Sequence, residues 1–181
     1  MEIFGECIHI ISSKVKEAIA NRDKGCIQEL ALRQAKAGAF ALELNIGPQK
    51  KAGPEVMEWM VDTVQEVVDL PLSLDTTNVA AMEAGLKRAK KRAIVNSASA
   101  APERLETMPP LAANYNARLI ALTMGKNIPP SAEARIEIAM ETLMPRIIEV
   151  GLSMEDVYFD PLILTAVSYT HLRAHETGRN L

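Results

Sequence analysis

The sequence predicts an α/β fold, an incomplete TIM (β/α)8 barrel of about six parallel strands with intervening helices. Three observations predict it. Short apolar runs alternate with amphipathic helical stretches, and no hairpin signal joins two runs. The runs are almost continuously apolar, as expected of strands covered by helices. Polar residues close these runs at positions 45, 75, 96, 123 and 160, spaced as successive βαβ units require. Alternation alone admits a doubly wound sheet or a barrel. No Gly-x-Gly-x-x-Gly follows the first strand, which weighs against a dinucleotide fold. Polar residues at the C-terminal ends of several strands match the active face of a barrel. A whole barrel needs roughly 250 residues and eight strands, and these 181 residues supply six strands.

Taken in order, Ile3–Phe4 opens a short strand running into Gly5, Glu6 and Cys7. Ser12 or Ser13 can cap a helix reaching about Arg22. A second helix spans Ile27 to Ala37 and stops at Gly38, which suits the residue just past a helix end. Ala39–Leu44 is a buried strand ending in Asn45-Ile46-Gly47-Pro48. Gly53-Pro54 starts the next helix, with proline at its favoured first position. Its Val56, Met57, Met60, Val61, Val64, Val67 and Val68 recur at steps of three and four and form one apolar face. The third strand, Leu72–Asp75, runs directly into Thr76-Thr77-Asn78 and a helix to about Lys90. Lys87, Arg88, Lys90 and Lys91 suit the negative end of that helix's dipole and read as a solvated helix end.

Ala93–Asn96 is the fourth strand, followed by a weak helix over 104–114 that Pro109-Pro110 interrupts. Arg118–Met124 is the fifth strand. Pro129-Pro130-Ser131 opens a long helix ending before Gly151, and Pro145 inside it predicts a kink or break. Val157–Asp160 is the sixth strand.

Composition narrows the functional classes. With 48% hydrophobic residues and a net charge of −3, the chain suits one globular domain. No apolar run approaches the roughly 20 residues that cross a bilayer. The N-terminus lacks the features of a signal peptide, so the cytoplasm is the expected location. Slight acidity and 4% aromatics weigh against nucleic acid as a partner. Cys7 and Cys26 fit no metal spacing, and a disulfide is not expected in a reducing compartment. Met57, Met60 and Met82 read as core.

After Leu164 the pattern stops. Residues 166–181 shift in composition, resemble a translated sequencing adapter, and are expected to be a non-native, unstructured tail beyond a single domain spanning 1–165. His171 and His175 are four apart, as two metal ligands on one helix face would be. No carboxylate base or third ligand accompanies them, so no metal site is assigned.

The chemistry rests on three strand tips, Asp75, Asn96 and Asp160. A reduced pterin presents an edge of donors and acceptors: an amino group, ring N–H groups, a ring nitrogen and a carbonyl. Carboxylates accept from N–H groups, and an asparagine amide both gives and takes. Two acids and one amide on separate strands suit that edge. Asp75 before Thr76-Thr77-Asn78 also reads as part of a helix-capping cluster. Asn45 and Glu6 read equally well as strand-end or pocket residues, and His9 as an ordinary loop or core histidine.

Several stretches together carry a resemblance. They are Leu42-Glu-Leu-Asn-Ile-Gly47, Met57-Glu-Trp-Met60 with Gln65-Glu-Val-Val68, Leu74-Asp-Thr-Thr-Asn78 with Glu83-Ala-Gly-Leu86, Val95-Asn-Ser97, Leu122-Thr-Met124, and Met154-Glu-Asp156 through Asp160-Pro-Leu-Ile-Leu164. The ordered set resembles the methyltetrahydrofolate:corrinoid/iron–sulfur protein methyltransferases of the pterin-binding barrel family. That family also contains dihydropteroate synthase and the folate domain of cobalamin-dependent methionine synthase. The resemblance implies that Asp75, Asn96 and Asp160 bind the pterin ring and that Asp75 and Asp160 serve catalysis. Glu6, Asn45, Ser97 and Met124 are further pocket candidates.

The implied reaction moves the N5-methyl of methyltetrahydrofolate to the Co(I) corrinoid (cobalamin) of a partner protein of the corrinoid/iron–sulfur type, or the reverse. It implies a homodimer for the full-length protein, and an N5 proton donor on strands beyond the sixth. Two departures bear on it. The first strand of relatives reads Gly-Glu-Arg-Ile-Asn, where this chain has Gly5-Glu-Cys-Ile-His9, and Glu43 stands where relatives carry Asp. A dihydropteroate-synthase-like enzyme is the alternative, although its phosphate-loop signature is absent. The other alternative is an inactive fragment whose unpaired sheet edges favour aggregation.

Overall fold

The computed structural model describes residues 1–163. Six parallel strands form one sheet in chain order: β1 (Phe4–His9), β2 (Ala41–Asn45), β3 (Leu72–Asp75), β4 (Ile94–Ser99), β5 (Arg118–Leu122) and β6 (Val157–Asp160). Helices connect them: α1 (Ser13–Asn21) and α2 (Lys24–Lys36), then α3 (Gly53–Gln65), α4 (Val79–Arg88), α5 (Pro102–Leu105) and α6 (Met108–Asn114). Between β5 and β6 run α7 (Ala132–Glu137), a π-helical stretch (Ile138–Leu143) and α8 (Met144–Glu149).

Strand alternation sorts side chains between two faces. Leu42, Leu44, Leu72, Leu74, Val95 and Leu119 point outward and are buried in one core with Val56, Met57, Met60, Val61 and Met82 of the helices. Each such side chain contributes roughly 1.5–3 kcal/mol by leaving water. The alternate positions line the inner face, and there the polar residues collect. β1 and β6 are not hydrogen-bonded to each other, so the barrel is open between them. The sheet nevertheless curls strongly. Phe4 of β1 packs edge-to-face on Tyr158 of β6 with ring centroids 5.4 Å apart. Tyr158 Oη donates to Glu2 Oε2 at 2.5 Å and accepts from Arg118 Nη1 at 2.8 Å. This cluster joins the first and last strands near their N-terminal ends.

Most predicted elements lie where the sequence placed them, and the shifts have local causes. α2 starts at Lys24 rather than Ile27 because the Asp23 side chain accepts from the Cys26 N–H at 3.2 Å, an N-cap. The weak helix over 104–114 is two helices. Pro109 falls in the first turn of α6, where backbone N–H groups have no helical partner to lose. β5 ends at Leu122 rather than Met124, because Met124 N–H turns back to the Leu122 carbonyl at 2.8 Å. Pro145 would lose the bond to the Glu141 carbonyl and clash with it. The chain answers with the wider π-helical turn immediately before α8. The residue 165/166 boundary, the expected tail 166–181, and His171 and His175 lie outside the described residues.

Candidate functional site at the strand tips

Register aligns the tips. His9 of β1 pairs with Asn45 of β2, Asn45 with Asp75 of β3, and Asp75 with Asn96 of β4. Paired residues in a sheet face the same way. The outer positions flanking these residues are the buried leucines and valine of the core, so the row faces the barrel interior. Glu43 lies one pleat below Asn45 on the same face. Asp160 pairs with Leu122, whereas the row through Asn96 continues to Ile120 and Tyr158. Asp160 therefore stands two residues beyond that row. A barrel of eight strands and shear eight offsets level positions by about one residue per strand. Over the two steps from β4 to β6 that rule brings Asp160 toward the level of Asn96.

The hydrogen bonds assign each amide an orientation. Asn45 Oδ1 accepts from the Gly47 N–H at 3.0 Å. A backbone N–H only donates, so the opposite end of the amide, Nδ2, must face Asp75, and it donates to Asp75 Oδ2. Gly47 holds a φ of +63°, where a Cβ would also meet Ile10 Cγ2 at 2.9 Å. Asn96 Nδ2 donates to Glu43 Oε2 at 3.0 Å. Capping of α4 falls to Asn78, whose Oδ1 accepts from the Ala81 N–H at 3.2 Å. Its Nδ2 also donates to the carbonyls of Gln49 at 2.6 Å and Lys50 at 2.8 Å. Asp75 thus takes no part in the cap and is left for the interior.

The electrostatics follow from crowding acids in a dry wall. Glu43 is only 8% exposed. Burial, then the nearby charges of Asp75 and Glu6, push its carboxyl up to about 8, while the Asn96 hydrogen bond pulls the other way. Asp75 is raised as well, first by burial. The Asn45 hydrogen bond and the charges of His9 and Arg104 hold it back. Near neutral pH Glu43 therefore holds its proton, and burial works against the charged form of Asp75 as well. Such a wall sets two carboxyls and two amides along one edge.

The remaining predicted residues are spread around this row. Glu6 is exposed on β1. Ser97 is half-buried, and its carbonyl accepts from Arg104 Nη2. Met124 is half-buried beyond the tip of β5, with its carbonyl accepting from the Ala100 N–H at 2.8 Å. Asp160 Oδ1 accepts from the Leu162 N–H at 2.7 Å, which turns the chain sharply after β6. A cavity of about 640 Å³ lies elsewhere, between Phe159 and the α7 residues Ala132, Arg135 and Ile136. None of the predicted site residues lines it.

The sequence profile of the family described as pterin binding enzyme matches residues 12–176. The chain belongs to that family. It is 28% identical over 174 residues to a methylcorrinoid:tetrahydrofolate methyltransferase of Eubacterium limosum, covering 94% of this chain and 64% of that protein. It is 26% identical over 171 residues to a methionine synthase of Mycobacterium leprae (strain TN), covering 90% of this chain and 14% of that protein. The chain thus spans less than two thirds of the length of either relative. Among solved structures, 7,8-dihydropteroate synthase from Vibrio fischeri ES114 superposes with a TM-score of 0.64 at 14% identity, over 98% of this chain and 70% of that one. At that identity the likeness is one of fold.

Within this pterin-binding barrel, two residues escaped the reading of the sequence as parts of the site. Glu43 stood out only as a departure from relatives. The signal available was a lone charge in an otherwise apolar strand, at the alternation that faces Asn45. Arg104 gave no signal, because its side chain reaches back from a short helix to two strand ends. Its Nη1 donates to the Thr76 carbonyl at 3.3 Å.

Proposed function

We propose that this chain carries the pterin-holding wall of a methyltransferase acting between methyltetrahydrofolate and the Co(I) corrinoid of a partner protein, in either direction. The observation that carries the reading is the single register row that sets Asn45, Asp75 and Asn96 side by side on the inner face, with Glu43 beneath. The name of the Eubacterium limosum relative supports the chemistry. Asp75 accepts from ring N–H groups, Asn96 pairs with the adjoining edge, and Asp160 closes on the ring from β6. Asn45 anchors Asp75. A ligand lacking those donors would leave buried acceptors unpaired, at about 1–3 kcal/mol each.

In the forward direction the cobalt lone pair forms the Co–C bond as the C–N5 bond breaks. The bonding pair goes to N5, a proton joins it, and the cobalt ends as methyl-Co(III). The amine leaves only if N5 is protonated before or during transfer. The chain supplies orientation and charge placement rather than a nucleophile. The reading also includes a corrinoid/iron–sulfur partner, a homodimer for the longer protein and a cytoplasmic setting. Among the described residues no helix is long and apolar enough to cross a membrane.

The test has two steps. Calorimetric titration with methyltetrahydrofolate reads pterin binding by this chain. Methyl-labelled substrate with reduced corrinoid protein then reads transfer. Binding followed by label on the corrinoid supports the reading. Absence of binding overturns it, and product formation from a pterin pyrophosphate and p-aminobenzoate would replace it.

A further inference from the structure

Arg104 lies on a short helix after β4, outside every stretch that carries the family resemblance, yet it reaches into the site. Its Nη1 donates to the carbonyl of Thr76 at 3.3 Å and its Nη2 to the carbonyl of Ser97. Thr76 follows Asp75 and Ser97 follows Asn96. One planar guanidinium therefore ties together the two backbone carbonyls immediately after the two adjacent ring ligands. A lysine point charge lacks that fork geometry. The group is half-buried, and its charge acts on Asp75.

We propose that Arg104 is the positioning residue of the pterin site, fixing the spacing of Asp75 and Asn96 and placing its positive charge beside the Asp75 carboxyl. The inference rests on the pterin reading above and deepens it.

Several groups act on Asp75. Burial raises its pKa. Glu6 of β1 raises it by repulsion, while the repulsion between Glu43 and Asp75 raises Glu43 instead. The Asn45 amide, His9 of β1 and Arg104 of α5 lower it. Removing the Arg104 charge removes one of the opposing influences, so the Asp75 pKa must rise further. Binding that needs an ionised Asp75 is then lost at a higher pH.

The experiment compares wild type, R104M and R104K by calorimetric titration with methyltetrahydrofolate between pH 5 and 8. Carboxyl carbon NMR of Asp75 without ligand runs alongside. R104M is expected to bind about 30-fold more weakly at pH 7, with its acidic limb moved up by about one pH unit. R104K is expected to keep the limb near its wild-type place, because the charge survives. It should still lose about five-fold in affinity, because the two-carbonyl bridge does not. Wild-type affinity and an unmoved limb in R104M overturn the inference while leaving pterin binding intact. If R104M fails to fold, R104K decides: affinity equal to wild type overturns the bridge. If wild type itself binds no pterin, the functional reading fails, and the Asp75 titration still tests Arg104. An Asp75 pKa equal in wild type and R104M rejects it.

Discussion

Glu43 provides the sharpest test of the site's electrostatics, through the substitution Glu43→Gln. The carboxyl ordinarily titrates near 4.5 and is pushed to about 8 by burial and by Asp75 and Glu6. Each pH unit between folded and unfolded titration is worth about 1.4 kcal/mol. Ionising Glu43 in the folded chain therefore costs at most about 5 kcal/mol more than in the unfolded chain. The barrel is open between β1 and β6, and Asp75 relaxes its own charge in response, so roughly half of that ceiling, about 2–3 kcal/mol, is expected. The sign follows from proton binding. Between pH 4.5 and 8 the folded state holds the proton that the unfolded state has released. Stability then falls as pH rises through this window.

Glutamine cannot ionise, and its Oε1 can still accept from Asn96. Urea unfolding at pH 5, 7 and 9 should find the two proteins within about 1 kcal/mol at pH 5, where the folded Glu43 is neutral and the unfolded one has begun to ionise. Glu43→Gln should be more stable by about 2–3 kcal/mol at pH 9. Other titrating groups are common to both proteins and cancel to first order. Parallel stability curves across the range would refute the argument, because they would mean that Glu43 ionises as freely in the fold as outside it.

Three further outcomes follow from the packing and hydrogen bonds. Gly85→Ala would place a Cβ 2.7 Å from Met57 Cγ and 2.8 Å from Leu74 Cδ1, so overpacking at the α3–α4–β3 junction should cost about 1–3 kcal/mol in chemical denaturation. Asn78→Ala removes the α4 cap and both bonds to the Gln49 and Lys50 carbonyls, and should cost about 2–3 kcal/mol, with Asn78→Asp recovering the cap alone. Limited proteolysis within 47–53 should accelerate in both variants. Asp75→Asn should weaken calorimetric pterin binding by about 100-fold, because a charged acceptor is replaced by a neutral group.

Much of the fold was legible because short apolar runs closed by polar residues alternate with amphipathic helical stretches. Leu72-Ser-Leu-Asp contains both faces of β3 in four letters. Boundaries failed where one side chain outweighed the apolar period. Asp23 drew α2 back by a cap, and Pro109 was absorbed into a helix start rather than breaking a helix. Pro145 was read correctly as a disturbance. Its form, a π-helical stretch rather than a kink, depends on how Leu143 and Ile147 are both kept fully buried beside it. That constraint comes from packing rather than from local sequence.

The site was legible in its acceptors and illegible in its couplings. Asp75 and Asn96 announce themselves as polar residues ending apolar runs, and register places them as neighbours. Nothing in one strand says that Asn45 must turn its amide nitrogen toward Asp75. That follows from Gly47, two residues on, whose N–H claims the oxygen. Nor does any local pattern say that Glu43 meets Asn96 across the intervening β3, a contact spanning 53 positions of sequence. Asp160 shows the same lesson from the other direction. By register it misses the row of Asn96 by two residues, which in a flat sheet would separate them along the strand. In a staggered barrel the same two residues bring it toward the level of Asn96. The sheet curls, and the edge-to-face contact of Phe4 with Tyr158 is the direct mark of that curl.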